Sequence, residues 1–307
     1  MRSVKGRHSA MIVSGSHSPG ISAEDFRLPI GTALRFERAA EALRPALSTY
    51  AARDSDALLW AGAINWRLPS RAQIWISLGA GPIEVATRRH AAARMGSAAL
   101  FGVTGRAQPI LSSGGVSVVI DIGPIAWARL FAQSAETLRD RITPLTGLLP
   151  AGWSDDLIAT VARSDRGPQL KGVLDAFFTE RMPAPHPDEP LISQIAELLR
   201  DGRTISLPDA ADRSGIDNRL LSRLTKRYFG FPPKTLLMRA RFLRTLIPML
   251  VSDAKPDFAA VPPGYHDVPH VIRDAKHFIG MTPRRFLATE MPYTRAALRA
   301  HGLVMRA

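Results

Sequence analysis

The sequence predicts an α+β chain, a β-rich half followed by an all-α half in which two helix-turn-helix units are joined by a long helix. Three observations predict it. Short apolar runs punctuated by Gly and Pro fill residues 27–150, helical i, i+3, i+4 spacing takes over after residue 151, and one pattern of turn, Asp, amphipathic helix, Gly and Pro occurs twice between residues 206 and 286.

In the first half, residues 72–78, 83–86, 98–103 and 116–122 are strand candidates, separated by turns at G-A-G-P, T-G-R and S-S-G-G. Residues 125–134 read as a helix. Residues 155–181 read as helical too, a connector or dimerisation segment, and P-A-P-H-P-D-E-P at 183–190 is the natural boundary. The domains expected are a disordered start over residues 1–22, a β-rich domain over 23–150, a connector over 151–185, the helical domain over 186–290 and a tail over 291–307.

The first copy of the repeated pattern is S-L-P-D-A-A-D-R-S-G-I-D-N-R-L-L-S-R-L-T-K-R-Y-F-G, residues 206–230. Ser206 can cap a helix, answered by Asp209 three residues on. Ala210 and Ala211 allow a second helix to cross closely, and Gly215 suits a left-handed helix end. Asp217 caps the next helix, which presents Leu220, Leu221, Leu224 and Tyr228 inward and Arg219, Ser222, Arg223 and Lys226 outward. An arginine fork on that outer face can grip guanine O6 and N7, or a phosphate, at two points.

The second copy is G-Y-H-D-V-P-H-V-I-R-D-A-K-H-F-I-G-M-T-P-R-R-F, residues 264–286. Asp267 caps it and Pro269 sits in the first turn, where a missing N–H costs little. Val271, Ala275 and Phe278 face inward, Arg273 and Lys276 outward. The punctuation also repeats, G-F-P-P-K after the first helix and G-M-T-P-R-R after the second.

At these residues the chain resembles the AraC/XylS family of bacterial transcription regulators, over roughly residues 188–290. The resemblance implies two three-helix units joined by one long helix, here from Pro233 to about Leu250 and carrying Arg239, Arg241 and Arg244. Their two reading helices would enter successive major grooves one helical turn, about 34 Å, apart. Carried over by position, the base-reading residues are Arg219, Ser222 and Arg223 in the first unit and Val268, Pro269, Ile272 and Arg273 in the second, with Lys226 and Lys276 on the same faces. Val268, Pro269 and Ile272 are apolar where the family often presents polar groups. Hydrogen-bond readout there rests on Arg273, and the others suit thymine methyls. Pro262 and Pro263 would shorten the helix before the second turn, and Pro248 would kink the joining helix. The expectation is a first unit that carries most base specificity and a second that clamps the backbone. The first half more loosely resembles the cupin-like sensor domains of such regulators, through L-P-S-R-A-Q-I-W-I-S-L-G-A-G and I-D-I-G-P-I-A-W-A-R-L-F.

Charge agrees with a polyanionic partner: 40 Lys and Arg stand against 27 Asp and Glu, a formal net charge of +13. Between Arg213 and Arg244 lie Arg219, Arg223, Lys226, Arg227, Lys234, Arg239 and Arg241, with Asp217 the one acid. A run of this kind is ordinarily a solvated helix face, and its place on a helix-turn-helix gives it a second meaning.

Cysteine is absent, which removes disulfides, cysteine-ligated zinc and thiol catalysis and suits a reducing cytoplasm. No apolar run approaches the roughly 18 residues of a membrane helix, and residues 1–20 lack the apolar core of a signal peptide. His266 and His270 have zinc-helix spacing, but a helix start falls between them and no H-E-x-x-H is present; His90 stands alone. Ser14, Ser112 and Ser113 sit in no nucleophile elbow, and G-A-G at Gly79 is followed by no phosphate-cradling helix. All five tryptophans, Trp60, Trp66, Trp75, Trp127 and Trp153, precede the boundary and fit either core or an effector pocket.

These readings point to a cytoplasmic, non-enzymatic regulator without cofactor or metal. Its partners would be double-stranded DNA, RNA polymerase, a small-molecule effector and a second copy of the chain, with no membrane. Two alternatives are a regulator whose first half serves only protein contact, and a cupin-like enzyme with a DNA-binding tail.

Overall fold

A computed structural model describes residues 11–78, 84–87, 90–94, 97–112, 114–201 and 207–307, and for residues 84–87, 90–94, 207 and 208 the backbone alone. The first half is two antiparallel sheets. The larger runs, in spatial order, β1 (Thr32–Arg38), β2 (Leu47–Ser55), β9 (Gly115–Ile122), β4 (Ala72–Leu78), β7 (Ala98–Phe101) and β10 (Ile142–Pro144). The smaller runs β3 (Ile64–Arg67), β8 (Gln108–Leu111), β5 (Glu84–Thr87) and β6 (His90–Arg94).

Alternation along the strands gives the larger sheet two different faces. Ile74 and Ile76 of β4 and Val118, Ile120 and Ile122 of β9 enter one core, with Leu47 and Tyr50 of β2. A register shift between Leu47 and Tyr50 puts these two residues, three apart, on the same face. Trp75, Val119 and Ala51 turn to the opposite face.

Helices cover the first face. α1 (Ala57–Trp60) is a single turn at the rim; α2 (Pro124–Leu130), α3 (Trp153–Arg163) and α4 (Gln169–Arg181) bury Trp127, Leu157, Leu170 and Phe178 there. The helix expected over 125–134 ends at Leu130. The one expected over 155–181 is two, broken where Arg166 takes φ 55° ahead of Gly167 and Pro168.

The second half comprises α5 (Glu189–Asp201), α6 (Leu207–Ser214), α7 (Asn218–Leu224), α8 (Pro233–Val251), α9 (Val268–Phe278), α10 (Pro283–Leu287) and α11 (Pro292–Arg306). Proline opens α8, α10 and α11, where a helix has no use for that N–H. α8 runs through Pro248 and stops three residues later.

Several expectations meet corrections. Residues 11–22 are not a free start: Ile12 is buried, its N–H donates to Asp54, and Gly15 bridges to Arg35. Residues 291–307 are mostly the helix α11 rather than a loose tail. The second unit has no helix at all between Val251 and Val268, a larger loss than a shortened one. The caps placed on Ser206, the G-A-G-P turn and Ser113 of S-S-G-G lie outside the described residues.

The proline-rich boundary does not separate two cores. Ile216, Leu221, Leu224, Tyr228 and Leu236 of the first unit are continuous with the core beneath the larger sheet. The second unit has its own core of Phe242, Leu246, Leu250, Ala275, Phe278 and Phe286, joined by Leu68 from the first half. The loop carrying Gly102 and Gly105 is central to this junction. A Cβ on Gly102 would stand 1.9 Å from the Leu138 carbonyl oxygen, and one on Gly105 2.9 Å from the Phe231 ring. Gly102→Ala is expected to cost about 1–3 kcal/mol through forced displacement of residues 138–141, read as a fall in Tm of several degrees.

Candidate DNA-reading helices and an arginine-lined cavity

α7 forms as its sequence requires. Asp217 in extended conformation accepts from the N–H groups of Arg219 and Leu220, and Gly215 at φ 66° supplies the turn before it. Leu221 and Leu224 are buried and Leu220 half-buried. Arg219 and Arg223 are exposed and Ser222 and Lys226 half-buried on the outer side. The helix continues as a π-helical turn, Thr225–Phe229, closed by Gly230 at φ 77°.

The carbonyls left at that end are taken by the first half of the chain. Ala135 N–H donates to the Arg227 oxygen at 2.8 Å, while Glu136 N–H and Ser134 Oγ donate to the Lys226 oxygen. Gly230 is required here: a Cβ on it would lie 2.2 Å from Val103 Cγ2 and 3.2 Å from the Ala135 oxygen.

α9 repeats the construction. Asp267 accepts from His270 N–H, Pro269 is in the first turn, Val271, Ala275 and Phe278 are buried, and Gly280 stands at φ 74°. Pro269, Arg273 and Lys276 are exposed, Val268 and Ile272 half-buried. Its carbonyl end is also held by the first half, Ala107 N–H donating to the Phe278 oxygen at 2.7 Å.

In place of the missing helix of the second unit stands a polar lock. Asp274 is buried on the inner side of α9, where its Oδ2 accepts from Arg241 at 2.8 Å and from the Tyr265 hydroxyl at 3.0 Å. The Arg241 guanidinium lies 4.6 Å from the Tyr265 ring centroid and also meets His270 Nε2 at 3.0 Å. Burial and the neighbouring Asp274 charge push the Tyr265 hydroxyl well above its ordinary pKa, so it stays a donor.

This corrects the reading of the basic run. Arg241 is consumed in the lock, Arg213 pairs with Asp201, and Arg244 donates to the Leu199 carbonyl. Arg239 turns into the protein, donating to the Thr104 oxygen at 3.2 Å while lying over Phe231. Arg227 donates to the Tyr228 hydroxyl, and Arg219, Arg223, Lys226 and Lys234 complete the run on and beside α7.

The second face of the larger sheet borders a cavity of about 540 Å³, an ordinary size for a small-molecule site. Its walls come from both halves: Phe36, Trp66, Trp75 and Ile110 from the strands, Leu243 and Ile247 from α8, Tyr293, Ala297 and His301 from α11. Trp66 and Trp75 are thus cavity residues. Trp127 and Trp153 are core, and Trp60 sits at the rim, donating to the Ile30 oxygen.

Cations dominate the charged lining: Arg53, Arg67, Arg71 and Arg200 stand against Asp121. Asp121 is occupied by Thr49 and Gln73. Arg67 is held by the Gly102 and Arg71 carbonyls and by Gln73, with burial lowering its pKa to about 9. Burial also pulls Arg71 down, opposed by Asp121 and assisted by the repelling charge of Arg200. Arg53 lies over the rings of Trp75 and Tyr293, and its Nε is buried without a hydrogen-bond partner, as is Trp66 Nε1. Desolvation and Arg71 lower the pKa of His301, against the pull of Asp121, so its imidazole is neutral at pH 7. The lining combines donors and positive charge with aromatic surface, Arg53 lying directly over two of the rings.

Among the described residues no group of three or more His, Cys, Asp or Glu could hold a metal ion, and no helix is long and apolar enough to cross a membrane. No family model matches the sequence and no curated protein matches it. Among solved structures, ToxT from Vibrio cholerae is similar at 13% identity over 83% of this chain and 97% of that one, with a TM-score of 0.44. ToxT bound to an unsaturated fatty acid is similar at 12% over 85% and 96%, with a TM-score of 0.41. The AraC-like transcriptional activator CuxR is similar at 13% over 74% and 84%, with a TM-score of 0.27. Likeness at this level carries no functional argument, which rests on this chain's own residues.

The lock on α9 is open to a direct check. Asp274→Ala leaves Arg241 and Tyr265 without their shared acceptor and is expected to cost about 1–3 kcal/mol. The loss should appear as faster amide hydrogen exchange in residues 265–278, with α7 unaffected.

Proposed function

We propose that the chain is a sequence-specific DNA-binding transcription regulator of the AraC/XylS type, with α7 and α9 as its two reading helices and the cavity as its effector site. The observation that carries this reading is the twofold construction: an Asp-capped helix with a basic outer face, closed by a left-handed Gly and followed by a helix that opens on Pro. A structural reason for one such helix is easy to find; the repeat some fifty residues on, at the spacing of a joining helix, calls for two docking events on one ligand.

Arg219, Ser222 and Arg223 would meet base edges, with Lys226 beside them on the phosphates. In the second unit Arg273 would supply the hydrogen bonds, Pro269 and Ile272 apolar contact, and Lys276 a phosphate contact. The effector would be a small anion with an apolar body. Two buried donors without partners, Arg53 Nε and Trp66 Nε1, and an excess of arginine over acid support that class. Contact with RNA polymerase, self-association through the first half and a cytoplasmic setting belong to this proposal as well.

A second reading, in which the first half only contacts protein, draws on exposed Ile30, Leu58, Leu59 and Ile64 along one rim. Because α8 and α11 wall the cavity, titration with candidate effectors separates the two readings only when the full chain is used.

The direct test is selection of bound duplexes from a random library by full-length protein, repeated across salt concentrations. Two enriched blocks about one helical turn apart support the reading; steep salt dependence without enrichment reduces it to electrostatic attraction. On the selected site Arg223→Ala should lose about 1–3 kcal/mol of discrimination at one base pair. Arg273→Ala should lose clearly less discrimination than Arg223→Ala, while Lys276→Ala should weaken matched and scrambled duplexes alike and flatten the salt slope by about one. Equal losses of discrimination would overturn the division of labour between the units.

A further inference from the structure

The last helix follows from P-Y-T-R-A-A-L-R-A-H-G-L-V-M-R, in which three faces have three different partners. Ala296, Ala300 and Val304 recur at i, i+4, i+8 and are fully buried; Ala300 and Val304 join Phe26, Leu34 and Phe36 against the larger sheet. Tyr293, Ala297 and His301 recur at the same spacing and form one wall of the cavity, with His301 edge-on to Phe36 at 5.6 Å. Arg295 belongs to neither face. Its Nη1 donates to the Leu250 oxygen at 3.0 Å and its Nη2 to the Leu287 oxygen at 2.6 Å, the carbonyl ends of α8 and α10.

One side chain therefore ties the cavity wall to both helices that flank α9. The link from α10 is short, residues 288–291, and Met291 within it is buried in the core of the second unit beside Phe286 and Leu250. The N-terminal end of α11 is fixed to the sheet by Tyr293, whose hydroxyl donates to the Ala33 oxygen, and by Thr294, bonded to Asn65 and Trp66. A molecule filling the cavity would meet Ala297 and His301. The helix cannot shift without drawing the Arg295 guanidinium across the ends of α8 and α10.

We propose that α11 reports cavity occupancy to the second reading helix, with Arg295 as the coupling group. This rests on the reading of the cavity as an effector site. It differs from sensing through the strands alone, because the element that feels the ligand follows the DNA-reading helices in the chain and is bonded to their scaffold.

The test uses full-length protein, the selected duplex and 8-anilinonaphthalene-1-sulfonate, a fluorescent anion with an aromatic body, as the probe. Four proteins are compared: wild type, Ala297→Trp, Arg295→Ala and Arg295→Lys. Saturating probe should change wild-type DNA affinity by about fivefold or more, and by less than about twofold in Arg295→Ala at undiminished probe affinity. Arg295→Lys, which keeps the charge but reaches one carbonyl, should fall between them and replaces Arg295→Ala should that variant not fold. A shift in the Arg295 variants equal to that of wild type overturns the coupling role, as does probe binding that leaves wild-type DNA affinity unchanged. Ala297→Trp fills the cavity and should abolish probe binding. Its failure to do so, or no probe binding by wild type, removes the cavity reading itself and is thereby distinct from failure of the relay.

Discussion

A helix ends in carbonyls that need donors, and in this protein both Asp-capped helices, α7 and α9, obtain them from the other half of the chain. Ala135 and Glu136 supply the end of the α7 extension, and Ala107 supplies the end of α9. Main-chain hydrogen bonds of this kind fix position along and about the helix more tightly than apolar packing does, since they are directional. The spacing of the two outer faces is thus set by a common β scaffold as well as by α8. Phe231, just past the left-handed Gly230, is held between Arg139 and Arg239, which fastens the same junction from the side-chain direction.

Legibility in the sequence followed local chemistry. Residues 72–78 and 116–122 announce themselves as strands because apolar residues dominate them, with Gln73, Ser77, Ser117 and Asp121 the only breaks, and the Asp caps at 217 and 267 because a cap is a local interaction. β1 and β2 escaped because they bury charge: Arg35, Glu37 and Asp54 lie inside, and Arg35 and His17 satisfy Glu37. Charged side chains at inward positions mask the alternation that marks a strand. The four β strands on the smaller sheet were short, and only residues 83–86 pointed to one of them. The role of Arg239 and Arg241 was equally hidden, since an inward arginine and an outward one differ only in partners brought near by folding, here Thr104 and Asp274.

The cavity could not be read from spacing at all. Its cations are Arg53 from β2, Arg67 from the end of β3, Arg71 from just before β4 and Arg200 from the end of α5. Its rings come from three strands and from the last helix. The five tryptophans carried a faint signal, and two of them belong to it. What assembles these groups is the second face of the larger sheet, left uncovered by α2, α3 and α4 and closed by elements that arrive late in the chain.

The two units also differ in the kind of interaction that holds them. Apolar cores accept exchanges among residues of similar volume, so Leu221, Leu224 and Leu236 can drift one at a time. The lock of Tyr265, Asp274 and Arg241 has no such latitude, because each member is useful only while the others keep their atoms in place. In descendants of this sequence the three should therefore change together or not at all. The α9 unit, held by a hydrogen-bonded triad, thus has an all-or-none dependence on three positions in place of gradual variation.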